Sequence, residues 1–548
     1  MENPRSKNNF SPTLIALAVA LTFTAPQVFA DAVTDWNLYT TLATKGATSL
    51  NEGNKALALN SNVATRIDAI TARAVFDAVN AIKHFSQNSY YYSGVALGKR
   101  SRQSASAAAV QAAHDVLLGA LPNPVDGSWG PTRTWLDNQL ASDLAALGVN
   151  SSDPGVIAGQ NAAAAALEAR QDDYAAIRTG YIPTSNISAD GKPNATGNPG
   201  IGLWRPSNGA AGSIDPVTGA PTGFDASGAI LPVAAIDFNW KNVTPFSLSI
   251  REKQQLVAVV PPALKIGSEE YLKELAFVET HGRDSAHPGS RTDDQLLQAL
   301  YYKADAELFT NEAARIGSKA RGLSLVQNAK LFAALDSALA DARIAAWQSK
   351  YDLAFWRPIT ALNADANGAV SNYDTWKPLA TTPSHPSNTG GHSATVSAGT
   401  EILRAFFKSD SIVPGNSPVR LTIFPWLIGT NNGTGKLATP IAGQNGTTRD
   451  VSTLTQLQLE NGRSRLYLGV HYGNDDFQGQ SLGLSVADEI IENQKDPAVK
   501  GVSIYRGNHK VATLKNLHAI FIENAEVSGF YGLDQLDEDK DQDGRHHH

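Results

Sequence analysis

Along most of this chain apolar residues return at three- and four-residue intervals, and strict alternation of apolar and polar positions is scarce. The Ala-rich runs Ser104–Leu121, Val156–Asp173 and Asp294–Ala346 carry this period most strongly and predict amphipathic helices. Two stretches break it. From about Thr179 to Asn242, and again from Asp410 to Thr448, the chain is rich in Gly, Pro, Asn and Ser and has no period. Segments this long inside a domain are usually either functional or without structure of their own. The pattern therefore predicts an all-α protein with long irregular loops.

Composition narrows the picture. A length of 548 residues corresponds to about three average domains, or fewer large helical ones. The net charge of −7 argues against a nucleic-acid surface or an anionic membrane as partner. Residues 1–30 read as a signal peptide: Arg5 and Lys7, an apolar run from Leu14 to Phe23, then Val28-Phe29-Ala30 before Asp31. That run is too short for a typical bilayer span of about 20 residues. The expectation is a secreted or periplasmic protein with no membrane attachment after signal cleavage. Cysteine is absent and Met1 is the sole methionine, so the exported chain has neither disulfides nor thioethers. Sulfur is the first target of peroxide and hypohalous acid, and its absence suits a protein that handles such oxidants.

The tail Asp534–Gly544 includes Asp539-Lys-Asp541-Gln-Asp543-Gly544, half of a calcium loop without its closing acid. It reads better as an acidic disordered tail. His546 to His548 look like a tag remnant. The chain thus divides into a leader at 1–30, a helical region at 31–254 with the first irregular stretch, a catalytic region at 255–525, and a tail at 526–548.

Chemistry concentrates in three blocks. They are Lys350-Tyr-Asp-Leu-Ala-Phe-Trp356-Arg357-Pro358, Gly390-Gly391-His392, and Ser464-Arg465-Leu-Tyr-Leu-Gly469-Val-His471-Tyr-Gly-Asn-Asp475. Three cations and two imidazoles can hold an oxyanion such as phosphate or vanadate, since Arg and Lys neutralise its oxygens through charge-assisted hydrogen bonds. Lys350 and Arg357 share a face if one helix runs through both, and Pro358 should end or kink that helix just after the arginine. Two glycines before His392 place it at a helix N-terminus, where free amides favour an anion. Arg465 and His471 are about 120° apart on an ideal helix, so both reach one ligand only if the helix breaks, and Gly469 is the natural place. His471 and Asp475 form an i, i+4 pair in which the carboxylate can accept one ring N–H and leave the other nitrogen to ligate.

Taken together, the blocks resemble the signature of the vanadium-dependent haloperoxidases and of the phosphatidic acid phosphatase type 2 superfamily that contains them. The likeness extends to Leu339–Trp347 and to Glu460-Asn461, and Phe355-Trp356 points to the haloperoxidase branch. The resemblance implies a two-lobed helical bundle with vanadate as cofactor and neither haem nor flavin. It implies hydrogen peroxide, halide and small electron-rich organic compounds as partners, no nucleic acid, and a homodimer as a candidate assembly. It assigns His471 as the vanadium ligand, Lys350, Arg357 and Arg465 as clamps on the oxygens, Gly391 as a backbone donor and His392 as the acid-base group. Asp475 and Trp356 support them from behind, and Asp294 is the candidate acid beside Arg465. His385 stands where chloride-oxidising members carry Phe, which implies bromide or iodide as the halide. Trp204-Arg205-Pro206 and Val243–Phe246 resemble segments preceding the bacterial core, so the first irregular stretch is expected to be ordered near the site. One departure matters: Gly390 stands where the family has Ser, and Thr389 or Ser387 is the candidate replacement hydroxyl. The same clamps would also serve a secreted acid phosphatase working through a phosphohistidine at His471, or a non-catalytic oxyanion-binding protein.

Overall fold

The computed structural model describes residues 31–94, 102–123, 125–177, 179–181, 200–207, 235–366, 368, 370, 373–428 and 447–505. The leader, the acidic tail with its half calcium loop, and the middles of both irregular stretches lie outside them. The helices are α1 (Ala32–Ala43), α2 (Ser61–Lys83), α3 (Arg102–Ala120), α4 (Gly130–Leu147), α5 (Pro154–Ala169), α6 (Ile250–Ala258), α7 (Glu269–His281), α8 (Asp293–Tyr301), α9 (Ala306–Arg321), α10 (Leu325–Leu353), α11 (Pro358–Asn363), α12 (Gly391–Phe407), α13 (Pro425–Ile428), α14 (Leu454–Tyr467) and α15 (Gly473–Asn493). One antiparallel pair, β1 (Val419–Thr422) and β2 (Thr448–Val451), joins Val419 to Val451 and Thr422 to Thr448. This mostly helical architecture is the all-α arrangement that the apolar pattern predicted.

Local chemistry explains the boundaries. The run expected from Asp294 to Ala346 divides into three helices because polar caps interrupt it. Thr292 with Gln295 and Ser324 with Gln327 form reciprocal capping boxes at the starts of α8 and α10. Between them Gly322, at φ +62°, closes α9 in the left-handed conformation that glycine adopts without steric cost.

Helix α10, 29 residues long, is the centre of the molecule, packed against α2 on one side and α12 on the other. α12 in turn lies along α15 at backbone contact. A Cβ on Gly483 would stand 2.2 Å from the Ala394 carbonyl oxygen, and one on Gly479 would stand 2.4 Å from that of Gly390. A single apolar cluster runs from Val33 through Phe76, Phe332 and Leu339 to Val499, so α1 and α2 share a core with the helices that carry the motifs.

Described parts of the first irregular stretch rest against α10. Asp341 accepts hydrogen bonds from the backbone N–H groups of Phe246, Ser247 and Leu248 at 2.6–2.9 Å, which places Val243–Phe246 on the central helix. Trp347 Nε1 and the Tyr351 hydroxyl both donate to the Ile236 carbonyl. Leu203 pairs with Phe355, and Trp204 N–H donates to the Ala354 carbonyl. These contacts put residues 200–207 and 235–248 beside the motif blocks, as an ordered loop requires.

Candidate active site

Lys350 and Arg357 do not share a helix. α10 ends at Leu353, Ala354 turns left-handed at φ +46°, and the chain then runs extended past Phe355. Arg357 is the N-cap of α11, and Pro358 is that helix's first residue, where a missing N–H and a fixed φ cost nothing. The expectation that proline ends the lysine helix is therefore corrected: proline starts the next one, and pairing with residues 202–204 holds the turn open. The other two local expectations fit. His392 is the second residue of α12, and Gly469, at φ +76°, separates α14 from α15 so that Arg465 and His471 sit on either side of a break.

Around this break the blocks converge in a buried pocket. Lys350 and Arg357 are fully buried, and Arg465 is 6% exposed. Lys350 Nζ donates to the carbonyls of Pro386 and Ser387 at 3.0 and 2.9 Å, which spends two of its three protons. Arg357 donates from Nε to the His385 carbonyl, from NH1 to the Val470 carbonyl and to His471 Nε2 at 3.0 Å, and from NH2 to His385 Nδ1 at 2.9 Å. In Arg465, by contrast, Nε and NH1 are buried without a hydrogen-bond partner among the described residues. A buried guanidinium with unpaired donors is costly unless an acceptor arrives, and an oxyanion is the acceptor that suits it.

The imidazole tautomers follow from their partners. Arginine only donates, so His471 Nε2 is the acceptor toward Arg357, and the ring proton sits on Nδ1, which donates to Asp475 Oδ2 at 3.0 Å. Asp475 is itself fixed by the Ser387 hydroxyl and the Tyr472 N–H. By the same argument His385 Nδ1 carries a lone pair, its 3.1 Å approach to the Pro386 carbonyl is not a hydrogen bond, and its ring packs on Trp347. His392 donates from Nε2 to the Ala304 carbonyl at 3.2 Å, leaving Nδ1 as a base.

Burial, with help from the cations, keeps all three rings neutral near pH 7. Desolvation and then Arg357 hold His471 well below the usual imidazole range, and desolvation, Arg465 and Arg343 do the same to His392. His385 is lowered by burial, Lys350 and Arg357. Burial also lowers Arg357 to about 9 and Arg465 to about 10, and it lifts Asp475 to about 6. Lys350 is pushed well down by burial and by Arg357. Each cation is disfavoured by burial beside other cations, so a bound anion relieves all of them together.

Three sequence-level expectations change. Asp294 does not pair with Arg465: its oxygens accept from Arg449 and Gln298, and Glu460 shares the same Arg449. The carboxylate that acts most on Arg465 is Asp305, through space, while Asp305 itself bonds Lys45 and Ser61. Neither replacement hydroxyl is free, since Ser387 donates to Asp475 and Thr389 to Asn388 Oδ1. The open neutral donor nearby is Asn388 Nδ2, buried and unpaired among the described residues. Nor is serine simply missing at 390. A Cβ there would stand 2.7 Å from the Asp475 carbonyl oxygen, so the close seating of α12 on α15 requires glycine. Trp356 lies behind the site with Tyr271, Phe355 and Tyr472. One residue was overlooked: Arg343, seven residues before Lys350 and two turns away on α10, stands in the same pocket.

Comparisons with known proteins agree with this picture. The family described as the VCPO second helical-bundle domain matches residues 330–499, which hold all three blocks. The vanadium chloroperoxidase of Curvularia inaequalis is 26% identical over 203 residues, 32% of this chain and 31% of that enzyme. The chain thus spans about a third of the curated relative it matches. Among solved structures, a bacterial vanadium-dependent iodoperoxidase superposes with a TM-score of 0.56 at 18% identity, covering 84% of this chain and 95% of that one. A holo-type bacterial vanadium-dependent chloroperoxidase gives 0.54 at 18% identity, covering 81% and 93%. The resemblance to the vanadium haloperoxidases therefore holds in the sequence of the second half and in the fold of the chain.

Proposed function

We propose that this chain is an exported vanadate-dependent haloperoxidase that oxidises bromide and iodide with hydrogen peroxide. The observation that carries the reading is the Arg465 guanidinium, buried with donors unpaired among the described residues, across the helix break from His471, whose Nδ1–H donates to Asp475 and whose unprotonated Nε2 accepts from Arg357. Lys350, Arg357, Arg465 and the start of α12 at Gly391 would hold vanadate, and His471 would ligate it. Vanadate bound there supplies a Lewis acid that polarises peroxide without changing its own oxidation state.

The chain's own groups do the rest. His392 Nδ1, neutral and unprotonated, accepts a proton from incoming peroxide and returns it to the departing oxygen. The remaining Lys350 N–H stabilises negative charge on the oxygen that leaves. In the net reaction halide takes one peroxide oxygen, the O–O bond breaks, and the other oxygen departs as water; one proton drawn from solvent balances the change, so that peroxide, halide and a proton give hypohalous acid and water. Hypohalous acid then halogenates electron-rich organic compounds outside any dedicated substrate pocket.

The deciding assay is bromide oxidation by the metal-free protein before and after incubation with orthovanadate. Activity is expected to appear with vanadate and to fall when phosphate competes; the same activity with haem or iron, and none with vanadate, would refute the reading. Turnover of an aromatic phosphate ester in place of bromide oxidation would instead assign a phosphatase.

Halide choice is a separate expectation. His385 bonds Arg357 and packs on Trp347, and it makes this wall of the pocket more polar than phenylalanine would. Chloride is the hardest of the three halides to oxidise and needs the most activated peroxide. Bromide and iodide should therefore turn over with little or no chloride, and His385→Phe should gain chloride activity relative to bromide at mildly acid pH. Efficient chlorination of a diketone by the unaltered protein would show that His385 does not set the limit.

A further inference from the structure

Arg343 belongs to none of the three motif blocks, yet it reaches their pocket. It sits on α10 one turn before Trp347 and two before Lys350, and it is buried. Its Nε donates to Asn62 Oδ1 at 2.9 Å, its guanidinium lies 4.8 Å from the Trp347 ring centroid, and NH1 lies 3.5 Å from Thr395 Oγ1, at the outer limit of a hydrogen bond. Its other terminal nitrogen makes no hydrogen bond among the described residues. The same NH1 is 3.6 Å from the point a Cβ on Gly391 would occupy, and Lys350 Cε is 3.5 Å from that point. Arg343 and Lys350 thus face one small space over the N-terminus of α12. No carboxylate bonds Arg343 among the described residues, and its charge is felt at Lys350, His385, His392 and Arg465.

From this geometry we infer that Arg343 is a fourth cation of the oxyanion site, donating directly to the bound anion from the side of Gly391. The inference rests on the oxyanion reading above. It accounts for the local chemistry at Gly390, because the hydroxyl that glycine lacks is a neutral donor and Arg343 replaces it with a charged one. The consequence is a preference for charge: four cations with Asp475 and Asp305 as the nearby carboxylates leave a positive excess that favours a tetrahedral dianion over a monoanion of the same shape. Asn62 and Trp347 hold the guanidinium in place, so little side-chain entropy is lost when it binds.

The test is titration of the full-length protein with molybdate, a tetrahedral dianion, and with perrhenate, a monoanion of the same shape, in wild type, Arg343→Gln, Arg343→Lys and Arg465→Gln. Losing one charge-assisted hydrogen bond should weaken molybdate about 10- to 100-fold in Arg343→Gln, with a smaller loss for perrhenate and partial recovery in Arg343→Lys. Unchanged molybdate affinity in a folded Arg343→Gln protein, with a large loss in Arg465→Gln, would reduce Arg343 to a brace for Asn62 and leave the oxyanion reading standing. Unchanged affinity in both variants would remove the oxyanion reading itself. A crystal of the unaltered protein soaked in molybdate decides the matter even if the variants do not fold. A terminal nitrogen of Arg343 within about 3.2 Å of a molybdate oxygen supports the role, and separation beyond hydrogen-bond reach overturns it.

Discussion

Replacing His471 by alanine is expected to give a folded protein that no longer retains vanadate and no longer oxidises bromide. The reason is the tautomer. The His471 Nδ1–H donates to Asp475, which leaves Nε2 as the unprotonated ring nitrogen, now accepting from Arg357 where α14 gives way to α15 and free to ligate once an anion draws that arginine away. Altering a partner behind a ligand typically costs about 10- to 100-fold in metal affinity. Asp475→Asn should therefore fall in that range, and His471→Ala, which loses the ligand itself, should exceed it. Vanadium remaining on the protein after dialysis, measured by elemental analysis, reads both. Wild-type retention by His471→Ala would mean that the cations alone hold the anion, and the ligand assignment would fail.

His392→Ala should behave in the opposite way, keeping its vanadate while turnover falls by roughly 10²- to 10⁴-fold, the usual worth of a positioned acid-base group. Burial, Arg465 and Arg343 keep His392 neutral well below the ordinary imidazole pKa. A base with a depressed pKa stays unprotonated as pH falls, so the acid limb of kcat/KM for wild type should lie below pH 6.5 and should vanish in the variant. Equal loss of vanadium from His392→Ala and His471→Ala would erase the division of labour between the two rings. So would a variant whose pH profile keeps the wild-type acid limb.

Much of this site could be read before any coordinates, for physical reasons. Helical periodicity, the glycines before His392 and the angular mismatch between Arg465 and His471 are local constraints, and local constraints survive folding. What escaped reading depends on contacts made across the chain. Alanine has no sequence signal for the left-handed turn at Ala354, which exists because residues 202–204 pair with the strand-like segment after α10. Asp294 was the candidate partner for Arg465 because the family resemblance implies an acid there, but Arg449 on β2 reaches it first. Arg343 was hidden in an Ala-rich helix where a single arginine usually points to solvent. Its spacing of seven before Lys350, the same as that from Lys350 to Arg357, was the available clue.

The contact between α12 and α15 also bears on how this protein could be remade. With glycines at 390, 479 and 483 bringing the two backbones together and Ser393 donating to Asp476 across the contact, the spacing between His392 on one helix and His471 just before the other is set by closely apposed main chain. Mutagenesis libraries aimed at new halides or bulkier anions should thus leave these glycines untouched, because a side chain at any of them would push the two helices apart and shift both imidazoles.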